Sequence, residues 1–170
     1  MKNSEADQKK YRLNLFRKKL FYFLYGLGFV FLLGWGSSPY LKIGFNATDS
    51  VDGFLFLIVK TKMPKKGELA AFWPPKNDFY QDIWFVKYVK GISGDHVTRK
   101  GASFFINNEY IGDAKVKSKG GVILQPNQGG EIPEEHYFMW TSHKDSFDSR
   151  YDQINWIHQS RIIGRAYRIF

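Results

Sequence analysis

A lysine inside an apolar strand is the feature that most constrains this chain. Residues 83–90 read Ile-Trp-Phe-Val-Lys-Tyr-Val-Lys, and because side chains alternate along a strand, we expect both of its faces to be buried. Lys90 can reach solvent beside Gly91, whereas Lys87 is held within the apolar run. Burying an ammonium costs several kcal/mol, so Lys87 must either pair with a carboxylate or release its proton. An uncharged amine at Lys87 would be a base.

The positive charge of the chain is concentrated at its amino terminus. The net charge is +9, and +5 of it lies before residue 20. The remainder is spread thinly, which argues against nucleic acid or another acidic polymer as a partner. The chain has no cysteine, and its four histidines show no metal-ligand spacing. We therefore expect neither a metal nor another cofactor.

A basic segment followed by an apolar one predicts a membrane anchor. Residues 20–35 are uncharged, and continuing to residue 40 gives the length of about 20 residues that crosses a bilayer. Cationic flanks stay in the cytoplasm, so we expect residues 1–19 there, residues 20–40 in lipid and residues 41–170 outside. A removable signal peptide is the weaker alternative, because no Ala-x-Ala-like site follows the apolar segment.

The rest of the chain reads as short strands separated by turns. Residues 41–49 are expected to be a connector and residues 115–130 a long polar excursion. The expected strands are 54–59, 68–73, 83–90, 97–100, 103–106, 110–111, 136–140 and 162–167. Strands without intervening helical patterns favour a mainly β domain with antiparallel sheets.

Five segments in order along the chain carry a family resemblance. They are residues 67–72, 85–97, 132–138, 146–151 and 162–166. Together they resemble the sequence boxes of the type I signal peptidase family, and most closely the TraF-like peptidases of conjugative transfer. The resemblance covers residues 46–170 and implies a β domain of signal-peptidase type with a Ser/Lys catalytic dyad.

The resemblance places the nucleophile shortly after the anchor. Residues 46–52 match the serine box, which makes Ser50 the nucleophile and Thr48 an oxyanion donor, with Lys87 as the general base. Asp52 stands near the place of the usual proline of the family. Ser37, in a Ser-Ser-Pro triplet, is therefore an alternative nucleophile.

The resemblance also assigns three supporting residues. Ser146 would orient the amine of Lys87, while Asp148 and Arg150 would fix the same loop by a salt bridge. The residues alone leave two alternatives open. Asp145 or Asp148 would orient the dyad more directly, or Lys87 would form a structural ion pair with a carboxylate from Glu68, Asp82 or Asp148.

The expected function is that of a membrane-anchored serine endopeptidase. The resemblance implies cleavage of a pilin or another secretory precursor at the outer face of the bacterial inner membrane, with a periplasmic catalytic domain. It also implies a role in conjugative pilus biogenesis that extends in some members to pilin cyclisation. A catalytically silent β scaffold of a secretion apparatus is the alternative, motivated by Asp52. The sequence leaves the oligomeric state open.

Overall fold

The structure, a computed structural model, describes residues 2–46, 50–77 and 80–170. The chain divides into two compact units, Met1–Pro39 and Tyr40–Phe170. Each unit is described by itself.

The first unit is one long helix, α1, over Lys2–Ser37. Its side chains are exposed from residue 8 to residue 32, and large apolar ones such as Phe21 and Val30 are among them. At its carboxyl end the Ser37 hydroxyl donates a hydrogen bond to the Gly34 carbonyl over 3.0 Å. No helix among the described residues is long and apolar enough to cross a membrane, so the anchor at residues 20–40 stays a prediction.

The described part of the second unit contains eleven strands, all paired antiparallel. They are β1 Leu41–Phe45, β2 Leu55–Val59, β3 Leu69–Phe72, β4 Phe85–Ile92, β5 His96–Lys100, β6 Ser103–Ile106, β7 Glu109–Asp113, β8 Gly130–Glu131, β9 His136–Trp140, β10 Ile157–His158 and β11 Ile162–Arg168. A seven-stranded sheet has the order β1-β2-β11-β3-β4-β9-β10, and a four-stranded sheet has the order β7-β6-β5-β8. The prediction of a mainly β, antiparallel domain is confirmed.

The connector predicted over residues 41–49 is wrong, because its first half is strand β1. This strand pairs with β2 from Leu41 opposite Val59 to Phe45 opposite Leu55. Lys42 and Gly44 interrupt the apolar pattern and conceal the strand in the sequence. A Cβ atom at Gly44 would lie 1.9 Å from the Trp84 ring, so the indole occupies the space that a side chain would need.

Strand β4 is buried on one face only, which corrects the expectation that both faces are buried. Lys87 and Val89 are buried, whereas Tyr88 is 37% exposed. Strands β3 and β9 flank β4, so its backbone lies inside the larger sheet. The core beside it contains Val89 and Met139, both fully buried. This position fixes the backbone from which Lys87 projects.

Candidate active site

The amine of Lys87 lies between two serine hydroxyls. The side chain is only 5% exposed. Its Nζ atom lies 2.9 Å from the Oγ atom of Ser50 and 2.9 Å from the Oγ atom of Ser146. The three residues are far apart in the sequence, and the fold brings them together.

Burial lowers the pKa of Lys87 from 10.5 to about 8. The negative charge of Asp148 opposes this shift, and the positive charge of Arg150 adds to it. With a pKa of about 8, about a tenth of the amine is uncharged at pH 7. Lys87 can therefore accept a proton from a neighbouring hydroxyl at a pH close to neutrality.

Among the described residues, Lys87 has no ion pair that would make it a structural residue. Within the described ranges, no salt bridge involves its amine. The carboxylate of Glu68 pairs instead with Arg165 over 2.8 Å, and that of Asp148 pairs with Arg150. Two neutral hydroxyl groups contact an amine whose charge is disfavoured by burial.

Ser50 lies in a turn between β1 and β2 that one amide side chain closes. The Nδ2 group of Asn46 donates to the carbonyls of Val51 over 2.7 Å and Gly53 over 2.9 Å, and its backbone N–H donates to the Phe54 carbonyl over 2.8 Å. Sequence reasoning placed Asn46 in the serine box but gave it no role. An asparagine directly before a polar turn is the signal that was available.

Two predicted features of the serine box have different outcomes. Thr48, the expected oxyanion donor, lies outside the described residues. Asp52, at the place of the usual proline, has an exposed carboxylate that pairs with Arg168 on β11. This pair links the turn that carries Ser50 to the last strand of the larger sheet.

The loop between β9 and β10 holds Ser146 through a buried ion pair. Asp148 is fully buried and Arg150 is 2% exposed, and the guanidinium donates to the carboxylate through Nε over 2.9 Å and Nη2 over 2.8 Å. Arg150 also donates to the carbonyl of Asp113 over 2.9 Å, at the end of β7. The predicted salt bridge is present, and it connects the Ser146 loop to the smaller sheet.

Neither carboxylate that was considered for orienting the dyad contacts the amine. Asp145 binds Lys115, and its other oxygen lies 3.2 Å from the amine of Lys119. Asp148 acts on Lys87 only through its charge. Ser146 therefore makes the direct contact.

An apolar cavity of about 380 Å³ opens beside Ser50 and Lys87. Most of its apolar lining comes from the end of β1, from β2 and from the start of β4, and Phe147 adds to it from the loop that carries Ser146. Besides Phe147, these lining residues are Phe45, Phe56, Ile83, Trp84, Phe85 and Val86. Such a cavity can hold short apolar side chains of a peptide while the hydroxyl of Ser50 faces the peptide bond. Among the described residues, no group of acidic residues and histidines could hold a metal ion.

Comparison with known families gives a match over most of the chain. The model of the family described as signal peptidase, peptidase S26, matches residues 17–170. The chain belongs to the S26 signal peptidases. This family consists of serine peptidases that act on secretory precursor proteins, and the resemblance predicted from the sequence is thereby confirmed at the level of the family.

A solved signal peptidase is also similar to this S26 member. The crystal structure of a signal peptidase I from Enterococcus faecalis V583 shares 21% identity at a TM-score of 0.42, covering 61% of this chain and 97% of that one. The search of curated proteins finds no match.

The buried amine predicts a specific pH dependence of stability. Because the pKa of Lys87 is about 8 in the folded state and 10.5 when unperturbed, the unfolded chain binds more protons between these values. The contribution of Lys87 to the free energy of unfolding therefore rises from pH 8 to pH 10.5 and is least favourable below pH 8. We expect Lys87→Met to raise the free energy of unfolding by up to about 3 kcal/mol at pH 7, with the gain shrinking towards pH 10.5.

Urea unfolding at a series of pH values measures this difference. Lys62→Met is the matched control, because Lys62 is exposed and its removal should change stability little and without this pH dependence. Burial does not disfavour the charged amine if Lys87→Met leaves the free energy of unfolding unchanged at pH 7. The same conclusion holds if the increase stays constant up to pH 10.5.

Proposed function

We propose that this S26 signal peptidase is an endopeptidase with Ser50 as nucleophile and Lys87 as general base. The observation that carries the proposal is the 2.9 Å contact between the Lys87 amine and the Ser50 hydroxyl. Burial lowers the pKa of this amine to about 8. A nucleophilic hydroxyl needs an adjacent base of this kind, because the free hydroxyl is a weak nucleophile.

In the proposed reaction, the uncharged amine of Lys87 removes the proton from Ser50 as the Oγ atom attacks the scissile carbonyl. The protonated amine then donates this proton to the leaving amine, and an acyl-enzyme remains on Ser50. The backbone N–H of Ser50 and the hydroxyl of Thr48 are the proposed oxyanion donors. One side-chain donor of this kind contributes about 3 to 4 kcal/mol in a comparable hydrolase.

Ser146 is proposed to orient the amine, and the ion pair of Asp148 and Arg150 to hold the loop that carries it. The 2.9 Å contact between Ser146 Oγ and Lys87 Nζ supports the first role. Two guanidinium hydrogen bonds to one buried carboxylate support the second. Loss of one partner of such a pair leaves an uncompensated buried charge, at a cost of about 3 to 5 kcal/mol.

The apolar cavity is proposed to bind the precursor residues that precede the scissile bond. Its lining by Phe56, Phe85 and Val86 favours apolar side chains, and the resemblance to the family implies that these are small. By its resemblance to the TraF-like members, the precursor is proposed to be a pilin subunit of a conjugative secretion system, or another secretory protein.

We further propose that α1 attaches the enzyme to the inner membrane, with residues 1–19 in the cytoplasm and the catalytic unit in the periplasm. Members of the family are membrane-associated enzymes with a periplasmic catalytic domain in general. The exposed apolar side chains of α1 support the proposal. Retention of the full chain in the membrane pellet after alkaline extraction is the expected result, and release of all of the chain to the supernatant would contradict it.

The alternative function, a scaffold without catalytic activity, was suggested by Asp52 near the place of the family's usual proline. The ion pair that Asp52 forms with Arg168 gives the turn an attachment to β11, so the missing proline does not require an inactive site. The contact of Ser50 with a buried amine favours the enzyme, since a scaffold has no need of it.

Processing of a labelled precursor by variants tests the proposed dyad. Ser50→Ala and Lys87→Ala are each expected to abolish cleavage, because one removes the nucleophile and the other removes its base. Ser37→Ala is the control and should cleave normally, since the Ser37 hydroxyl donates to the Gly34 carbonyl within its own helix. Full activity of Ser50→Ala together with loss in Ser37→Ala would transfer the nucleophile to Ser37.

Mass analysis of the products in the same experiment tests the TraF-like subtype. Attack of water on the acyl-enzyme gives a linear product, whereas attack of the precursor's own amino group closes a ring. The cyclic product is lighter than the linear one by one water. Linear products alone would contradict cyclisation and leave the peptidase proposal intact.

A further inference from the structure

A second cavity adjoins Ser50, and its lining is basic. It has a volume of about 490 Å³. Its charged lining comes from Lys115, Lys117, Lys119 and the carboxylate of Asp145. Nothing in the proposed dyad chemistry uses the three lysines.

One carboxylate does not balance the positive charge of this lining. Asp145 binds both Lys115 and Lys119, and these contacts lower its pKa to about 2. It therefore stays ionised at any pH near neutrality. Lys117 forms no salt bridge with a described residue. Three lysines and one carboxylate leave an excess of two positive charges at the cavity.

The three lysines lie on a loop whose backbone is held by hydrogen bonds. The Leu124 N–H donates to the Val116 carbonyl over 2.9 Å, the Ser118 N–H donates to the Val122 carbonyl over 2.9 Å, and Lys117 forms an antiparallel bridge with Ile123. The backbone N–H of Lys115 donates to the hydroxyl of Tyr151 over 3.0 Å. Because Tyr151 is buried, the base of the loop is attached to the core.

The basic and the apolar cavities meet at the reacting groups. Both are lined by Ser50, Tyr80, Asp145, Ser146 and Phe147. A peptide that presents its scissile bond to Ser50 can therefore have one side in the apolar cavity and the other in the basic one. If the residues before the scissile bond occupy the apolar cavity, those after it lie against the lysines.

We propose that the basic cavity selects precursors that carry aspartate or glutamate within the first few residues after the cleavage site. This proposal rests on the proposed function, because it uses Ser50 as the point of attack. Lysine ammonium groups attract side-chain carboxylates at a cavity wall, and salt screens the attraction. The lysines are specificity residues, since they contact the leaving segment and not the reacting atoms.

Kinetics with matched peptides and charge-reversed enzyme test the assignment. The peptides share the residues before the scissile bond and carry glutamate, glutamine or lysine after it. The enzyme variant is Lys117→Glu combined with Lys119→Glu, and Lys62→Glu is the control with an exposed lysine outside both cavities. Lys115 is left unchanged, so that Asp145 keeps one of its two lysine partners next to Ser146.

The unaltered enzyme should cleave the glutamate peptide with the lowest KM, and 0.5 M salt should reduce the preference. In the double variant, KM for the glutamate peptide should rise about fivefold or more with kcat little changed, and the preference should shift to the lysine peptide. Lys62→Glu should keep the original preference. Ser50→Ala should cleave none of the three peptides, so failure of the dyad differs from failure of this proposal.

Three results would overturn the proposal. Equal losses on all three peptides would mean that the lysines only support the loop. Unchanged kinetics would mean that they are ordinary solvated charges. Unchanged peptide selectivity together with weaker binding to vesicles of phosphatidylglycerol would assign the basic cavity to lipid headgroups.

Discussion

The proposed chemistry depends on one constraint: the Lys87 amine is buried and has no salt bridge to a carboxylate in the described part of the chain. Strand β4 lies between β3 and β9, so the side chain cannot leave the core without disrupting the larger sheet. The amine contacts two hydroxyls, which accept hydrogen bonds but do not neutralise a charge. The folded protein is therefore less stable below the pKa of this amine, and the same amine can accept a proton near neutrality.

The elements around this amine are held by interactions of different strength. The Ser146 loop depends on the fully buried Asp148 and its guanidinium partner, whereas the Ser50 turn depends on the hydrogen bonds of Asn46 and on the exposed pair of Asp52 and Arg168. Exposed pairs contribute about 1 kcal/mol or less. The contacts around Ser50 are thus weaker than those that hold the loop carrying Ser146.

The sequence predicted the parts of the fold and site that depend on local pattern. The apolar strand around Lys87 and the two strands predicted at 97–100 and 103–106 follow from alternation and turn residues. Strand β1 was missed because Lys42 and Gly44 break its pattern, and pairing with β2 stabilises it regardless. The strands β8 and β10 have two residues each, which is too short to show the alternation of apolar and polar residues that identifies a strand. The basic cavity could not be predicted from the sequence, because residues 115–119 lie close to Ser50 only in the folded domain.

Direct titration of Lys87 measures whether burial lowers the pKa of its amine. The protein is labelled with carbon-13 at the Cε atoms of its lysines, and the Lys87 resonance is assigned by its absence in Lys87→Arg. We expect this resonance to titrate with a midpoint at about 8. A midpoint near 10.5, the unperturbed value, would show a solvated ammonium that cannot act as the proposed base.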